Sequence, residues 1–211
     1  MEEGQSALRT GVLENHARGV YETWVRSAVE ARASLQANRL FVATPNVQTL
    51  ATARTAWIQA RKAYSPTEVL RFQGGPIDDE DGPEGQINGW PLDEAYIDYV
   101  VDQPNTGLIH DLEGLPAIDS ATLLLRNEVG GEENIATGWH AVEFLLWGQD
   151  TSKDGPGARP HTDYMEEEAN ASRRSAYLDA VSQLLVDDLE GLAAQWAESE
   201  GSNYRKGFLA D

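Results

Sequence analysis

The residues best suited to chemistry stand together in one short segment, Gly138-Trp139-His140-Ala141-Val142-Glu143-Phe144-Leu145-Leu146-Trp147-Gly148. His140 and Glu143 are three residues apart, so on a helix their side chains share one face. An imidazole beside a carboxylate is half of a metal site. Helical Glu-x-x-His pairs serve that purpose in carboxylate di-metal bundles, with the order reversed here. Gly138, just ahead of the pair, would let another backbone or a ligand approach closely. Apolar residues fill almost every other position, and a helix apolar all round is usually buried. A buried Glu must be paired, metal-bound or protonated, so the pair is expected to meet polar partners inside the protein. The spacing leaves one plainer reading open, a hydrogen-bonded His–Glu brace with no ligand.

A second constellation lies earlier. Tyr64 and Glu68 are four apart, Glu68 and Arg71 three apart, and Asp78 follows a turn-rich Gly74-Gly75-Pro76-Ile77. If the helix continues past Pro66, Tyr64, Glu68 and Arg71 share a face. Either they contribute to a ligand site, or Glu68 and Arg71 form a local surface pair worth little.

Other chemistries find no support. A zincin needs two His four apart with a Glu base between them, and the segment has one His. His16, His110 and His161 have no evident partner spacing and read as loop or surface residues. The absence of cysteine rules out thiolate metal sites and cysteine nucleophiles. No nucleophile elbow or phosphate-binding glycine loop is present.

The elements that must position these residues read as helices. Leu13, Val20, Trp24, Ala28, Ala31 and Leu35 recur at helical spacing between about residues 5 and 38. Pro45 and Asn46 open a second helix with the stripe Leu50, Ala53, Trp57, Ala60 and Tyr64. Pro66 interrupts it, with Ser65 able to cap a restart at Thr67. Residues 73–90 read as a long acidic, glycine-rich loop. Pro91, Asp93 and Glu94 suit the start of a third helix, through Tyr96, Ile97 and Val100, ending near Gln103. Ser120 is a candidate cap for a short helix. The His140 helix is expected to end at Trp147, with Gly148 past its C-terminus. A last helix runs from about Asn170 to Glu198 on Tyr177, Val181, Leu184, Leu185, Leu192 and Trp196, and residues 201–211 read as a frayed tail. No stretch alternates like a strand. The expected fold is all-α, an up-down helical bundle with long loops, forming one domain over residues 5–211.

The 211 residues are 41% hydrophobic, enough for a real core. Net charge is −19, from 16 Lys+Arg against 35 Asp+Glu. Nucleic acid is therefore excluded as a partner, since phosphate binding needs a basic surface. Cationic partners, metal ions or plain solubility fit the charge. No segment approaches the roughly 18 apolar residues that span a membrane. Met1-Glu2-Glu3-Gly4 is not a signal sequence, so the chain is either cytoplasmic or begins after a removed signal.

Three blocks carry a family resemblance: residues 56–78 (AWIQARKAYSPTEVLRFQGGPID), 88–100 (NGWPLDEAYIDYV) and 136–150 (ATGWHAVEFLLWGQD). They resemble the imelysin-like family, whose Gly-x-His-x-x-Glu motif is matched by Gly138, His140 and Glu143. Residues 157–164, Arg173-Arg174 and Tyr177-Leu178 also look like the family. The resemblance implies one half of an all-helical, two-bundle fold with a site between the halves. It implies a bacterial protein exported to the periplasm or anchored at the outer membrane, tied to iron uptake or iron-regulated functions, with envelope iron-uptake proteins as partners. The family is classed among candidate metallopeptidases. A related branch of iron-uptake lipoproteins implies iron as the ion, held by His140, Glu143 and Glu68, with Asp78 and Asp93 following; Tyr64, Arg71 and Gly138 join them as ligand-binding candidates from the spacing above. Zinc or calcium are the alternatives. Family chains normally continue into a second helical half, so a second half or another copy of the chain is expected to complete the site. Three functions stay open: a metal-binding protein, a metallopeptidase, and a non-catalytic module for a small ligand.

Overall fold

The 3-4 spacing of Leu50, Ala53, Trp57, Ala60 and Tyr64 becomes the buried stripe of a helix, α2 (Val47–Tyr64). Asn46 caps it: its side chain accepts from the backbone of Gln48 and Thr49, and Thr49 Oγ1 accepts from the Asn46 amide in return. The computed structural model describes residues 2–199 and 201–210, with side chains from Leu8 onward. Met1, Glu200 and Asp211 lie outside the described residues. So do the side chains of the acidic start.

Three long helices make the frame: α1 (Glu2–Ala43), α2 and α7 (Ala171–Trp196). The short turn Thr44-Pro45-Asn46 folds α2 back along α1. Arg39 pairs with Asp179 and Arg32 with Glu190, so α7 also runs antiparallel to α1. The stripes read from sequence are the faces in contact, apart from Leu13 and Leu184, which stay half-buried outside the core. Val20, Trp24, Ala28, Ala31 and Leu35 meet the α2 stripe and Tyr177, Val181, Leu185, Leu189 and Leu192 of α7 in one core. Asn38 and Ser182, both buried, satisfy one another across α1 and α7 at 2.9 Å.

Between α2 and α7 the chain makes only short helices: α3 (Glu84–Asn88), α4 (Glu94–Ile97), α5 (Ser120–Leu124) and α6 (Gly138–Trp147). Among the described residues there is no strand, only one isolated bridge between Val100 and Gln103. The fold is all-α.

Several local expectations change. Pro66 does not stop the helix; α2 tightens into a 3-10 turn, Ser65–Leu70, with Pro66 in its first turn where no amide is needed. Ser65 does not cap a restart: its hydroxyl donates to the Arg61 carbonyl. The third helix is one turn rather than a span to residue 103. It starts at Glu94 under an Asp93 cap, and Pro91, after a cis peptide bond, precedes it. The loop 73–90 contains α3. Asp119, not Ser120, caps α5. The expected frayed tail forms α8 (Tyr204–Ala210), held because Tyr204 and Phe208 pack on Trp196 and the Arg205 side chain is buried against Glu14 and the Trp196 carbonyl.

Candidate functional site

The helix α6 is set in place from both ends. At its start Gly138 has φ +80, and a Cβ there would lie 2.4 Å from the Ile87 carbonyl oxygen. The close neighbour is thus the backbone of α3, and only glycine permits it. Thr137 donates its hydroxyl to the Gln86 carbonyl, and the Gln86 side chain donates to Asp188 of α7 at 2.6 Å. At the far end Gly148, at φ +68, turns the chain out. In its last turn the Leu146 carbonyl finds a cationic partner: Arg54 donates to it twice, at 3.0 and 2.8 Å.

Trp139, Ala141, Val142, Phe144, Leu145 and Leu146 all turn into the core. That leaves the stripe His140, Glu143, Trp147, at i, i+3, i+7, as the open face. Deep burial of the pair was expected from the apolar surroundings. Instead the side chains are 20% exposed for His140 and 45% for Glu143. An apolar helix buries most of its circumference, and the polar stripe takes the remainder.

This stripe forms one wall of a cleft of about 490 Å³. Trp57 of α2, Trp90 and Trp147 supply aromatic surface, and Glu94 and Asp150 bring two further carboxylates. Trp90 packs against the His140 ring with centroids 4.7 Å apart. The Trp57 indole is fixed by donating to the Trp139 carbonyl at 3.2 Å and lies edge-on to Trp147. His140 Nδ1 stands 3.2 Å from Glu143 Oε2. With the carboxylate as acceptor, the neutral tautomer that fits carries its proton on Nδ1 and a lone pair on Nε2. Among the described residues nothing else hydrogen-bonds to the His140 ring. Burial first, and then the charge of Asp150, raise the Glu94 carboxyl above its ordinary range. Arg159 works against this, while Asp93 and Glu143 add to it. Three acids thus act on Glu94, and the mouth of the cleft carries negative charge.

The structure brings together His140 and Glu143, with Gly138 at the base of their helix, and adds Glu94 and Asp150. It places the other candidates elsewhere, since none of them lines the cleft. Glu68 is exposed and pairs with Arg61 at 3.0 Å. Tyr64 is fully buried between Trp24 and Trp139, and burial pushes its phenol up to about 12. Arg71 pairs with Glu84 at 2.6 Å. Asp78 accepts from the Gly75 amide, and Asp93 caps α4. Among the described residues no group of three or more His, Asp or Glu side chains stands close enough to hold a metal ion alone.

A second polar centre escaped the sequence reading. Asp98, fully buried after α4, accepts from Arg159 at 2.6 Å and from Arg174 at 2.7 and 3.1 Å, and His110 Nε2 lies 3.3 Å away. Burial alone would raise the Asp98 carboxyl, but Arg174 and Arg159 outweigh it and hold it below its ordinary value. The Arg159 guanidinium also stacks over Tyr99 and Phe144, at 4.9 and 5.3 Å. No local spacing links Arg159 or Arg174 to Asp98.

Comparison with known proteins agrees with this architecture. The sequence profile of imelysin matches residues 19–211. Iron-regulated protein A of Synechococcus elongatus is 31% identical over 128 residues, which covers 61% of this chain and 28% of that protein. The matched stretch thus spans under a third of the relative's length.

Proposed function

The chain belongs to the imelysin family, and we propose that it is a metal-ion-binding protein of the bacterial cell envelope, periplasmic or anchored at the outer membrane. Its cargo is iron, taken up or handled in an iron-regulated function. One observation carries this reading. Glu143 holds the Nδ1 side of His140, which leaves Nε2 free at the edge of a cleft that also contains Glu94 and Asp150. A carboxylate that fixes the tautomer of a histidine and raises its basicity is the usual arrangement behind a metal-ligating imidazole. Carboxylates with an imidazole suit iron among the common biological ions, with zinc and calcium as the competitors. The name of the cyanobacterial relative supports the link to iron.

In this reading His140 Nε2 is the ligand from α6, and Glu143, on the opposite ring nitrogen, orients the imidazole. Glu94 and Asp150 supply attraction for the ion. The remaining coordination positions belong to water, to the chelator that delivers the ion, or to a second helical half or second copy of the chain. A zinc peptidase requires three protein ligands and an open position. The His140–Glu143 pair falls short of that set, so the metallopeptidase reading ranks below.

The test is equilibrium titration of metal-stripped protein with ferric citrate, with zinc and calcium as controls. Wild-type protein binds the ferric ion most tightly, and His140→Ala loses at least about tenfold in affinity, roughly 1.4 kcal/mol. Equal ferric affinity in wild type and His140→Ala would refute the assignment.

A further inference from the structure

The cleft beside His140, at about 490 Å³, is far larger than one ion needs, and much of its wall is aromatic. Indole rings reach it from three places in the chain: Trp57 of α2, Trp90 ahead of α4, and Trp147 at the end of α6. Phe144 adds a fourth ring. Trp90 is 70% exposed, so its ring is open to a ligand. A metal ion coordinates through oxygen and nitrogen and has no use for indole rings. A ligand that does use them has an organic surface.

The charge on the lining is of one sign. Glu94, Glu143 and Asp150 are the Asp and Glu residues there, and no Lys or Arg accompanies them. Asp150 is exposed and the Glu143 side chain is 45% exposed, so a ligand can reach both. His140 is the remaining polar side chain, and even a protonated imidazole would leave three carboxylates in excess. All other lining residues are aliphatic, glycine or proline. Two arginines touch the wall rings from outside the lining, and both are engaged. Arg54 donates to the Leu146 and Arg159 carbonyls, and Arg159 to Asp98. Arg54 also stands over the Trp147 ring, 5.5 Å from its centroid, so the fold already sets a cation against one of these indoles.

We propose that this cleft binds a small organic cation, an alkylated ammonium group held against the Trp90 and Trp147 rings. Cation–π attraction to tryptophan is the strongest of its kind, and it grows when the cation is partly desolvated. Glu94, Glu143 and Asp150 supply the long-range attraction and reject anions. The indoles select an organic body and the carboxylates select a positive charge. The proposal stands on these walls and not on His140 Nε2, so it does not rest on the metal-binding reading.

Two probes of one shape separate charge from packing. Choline carries a trimethylammonium group, and 3,3-dimethyl-1-butanol replaces its nitrogen by carbon and has no charge. Each is titrated into metal-stripped protein, and the tryptophan indole N–H signals are followed by NMR. Sodium chloride in excess screens diffuse attraction to the acidic surface. Choline is expected to bind one to one and about tenfold tighter than the alcohol, with the Trp90 and Trp147 signals moving most. Trp90→Leu keeps an apolar side chain and removes the ring, so the preference for choline falls at least about threefold. The double variant Glu94→Gln, Asp150→Asn removes two charges and also lowers it. Four results would overturn the proposal: no saturable choline binding, equal affinity of wild type for the two probes, a preference unchanged by Trp90→Leu, or one unchanged by the double variant. The comparison of probes on wild type decides the matter even if a variant fails to fold. All solutions are metal-free, so failure of the choline titration and failure of the ferric titration are distinguishable.

Discussion

Two carboxylate centres lie close to α6, the Asp98 network and the His140–Glu143 pair, and they are built on opposite principles. Around Asp98 each carboxylate oxygen is taken by Arg159 or Arg174, and the exposure of the three side chains is between 0 and 3%. Around His140 one carboxylate meets one imidazole, both partly exposed, and ligand capacity is left over on each. The Asp98 network fixes where the loops lie and is closed to solvent, although Arg159 Nε and Nη2 find no partner in it. The His140 pair keeps its spare nitrogen and oxygen at the edge of an open cleft. Access separates the two: a sealed charged cluster argues for architecture, and the pair a ligand can reach is the candidate for function.

The comparison breaks most readily at the closed centre. Asp98→Ala strands two buried guanidiniums, and removing one partner of a buried ion pair costs about 3–5 kcal/mol. Urea unfolding followed by circular dichroism should show that loss; a change below about 1 kcal/mol would mean that the network does not hold the loops.

The packing that presents the open pair comes next. At Gly138 a side chain would need an unfavourable φ and would strike the Ile87 carbonyl. Gly138→Ala is therefore expected to lower stability by about 1–3 kcal/mol, measured in the same way, and to weaken metal binding because α6 shifts against α3.

A pH effect sharpens the contrast. Asp188 on α7 holds Gln86, and burial raises its carboxyl to about 6. The fold thus favours its neutral form. Its contribution is full below about pH 4, near the unfolded value, and is lost as pH rises through about 6. Asp188→Asn keeps a neutral acceptor, so the variant gains stability relative to wild type at pH 8, and the gain vanishes by pH 4. A difference that is constant over this range in urea midpoints would contradict the assignment.

The smallest stability effect belongs to the open pair. His140→Ala should change unfolding free energy by less than about 1 kcal/mol, since partly exposed pairs contribute little. A loss as large as that of Asp98→Ala would make the pair a structural brace.

What the sequence revealed follows the range of its signals. The stripes of α1, α2 and α7 were legible because helical spacing is local, and each became a buried face. The His140–Glu143 contact was legible for the same reason. Its depth was not, because which stripe of α6 stays open depends on α2, α3 and α7 closing over the rest. Glu68, Tyr64 and Arg71 share a local pattern with no bearing on the cleft; each finds a nearer partner. Asp98 lies 61 residues from Arg159 and 76 from Arg174, beyond any local pattern. Glu94 and Asp150 were visible only as a helix-start charge and a residue after the motif. The α8 helix was missed because its hold on Trp196 comes from tertiary packing.

The measurement that bears most directly on the central claim is the nitrogen-15 NMR spectrum of the His140 imidazole, assigned by comparison with His140→Ala and recorded with and without gallium, a diamagnetic stand-in for ferric iron. The account predicts that the neutral tautomer in the metal-free protein carries its proton at Nδ1, and that the Nε2 resonance changes strongly on addition of gallium. A ring protonated at Nε2, or an Nε2 resonance that ignores saturating gallium, would contradict it.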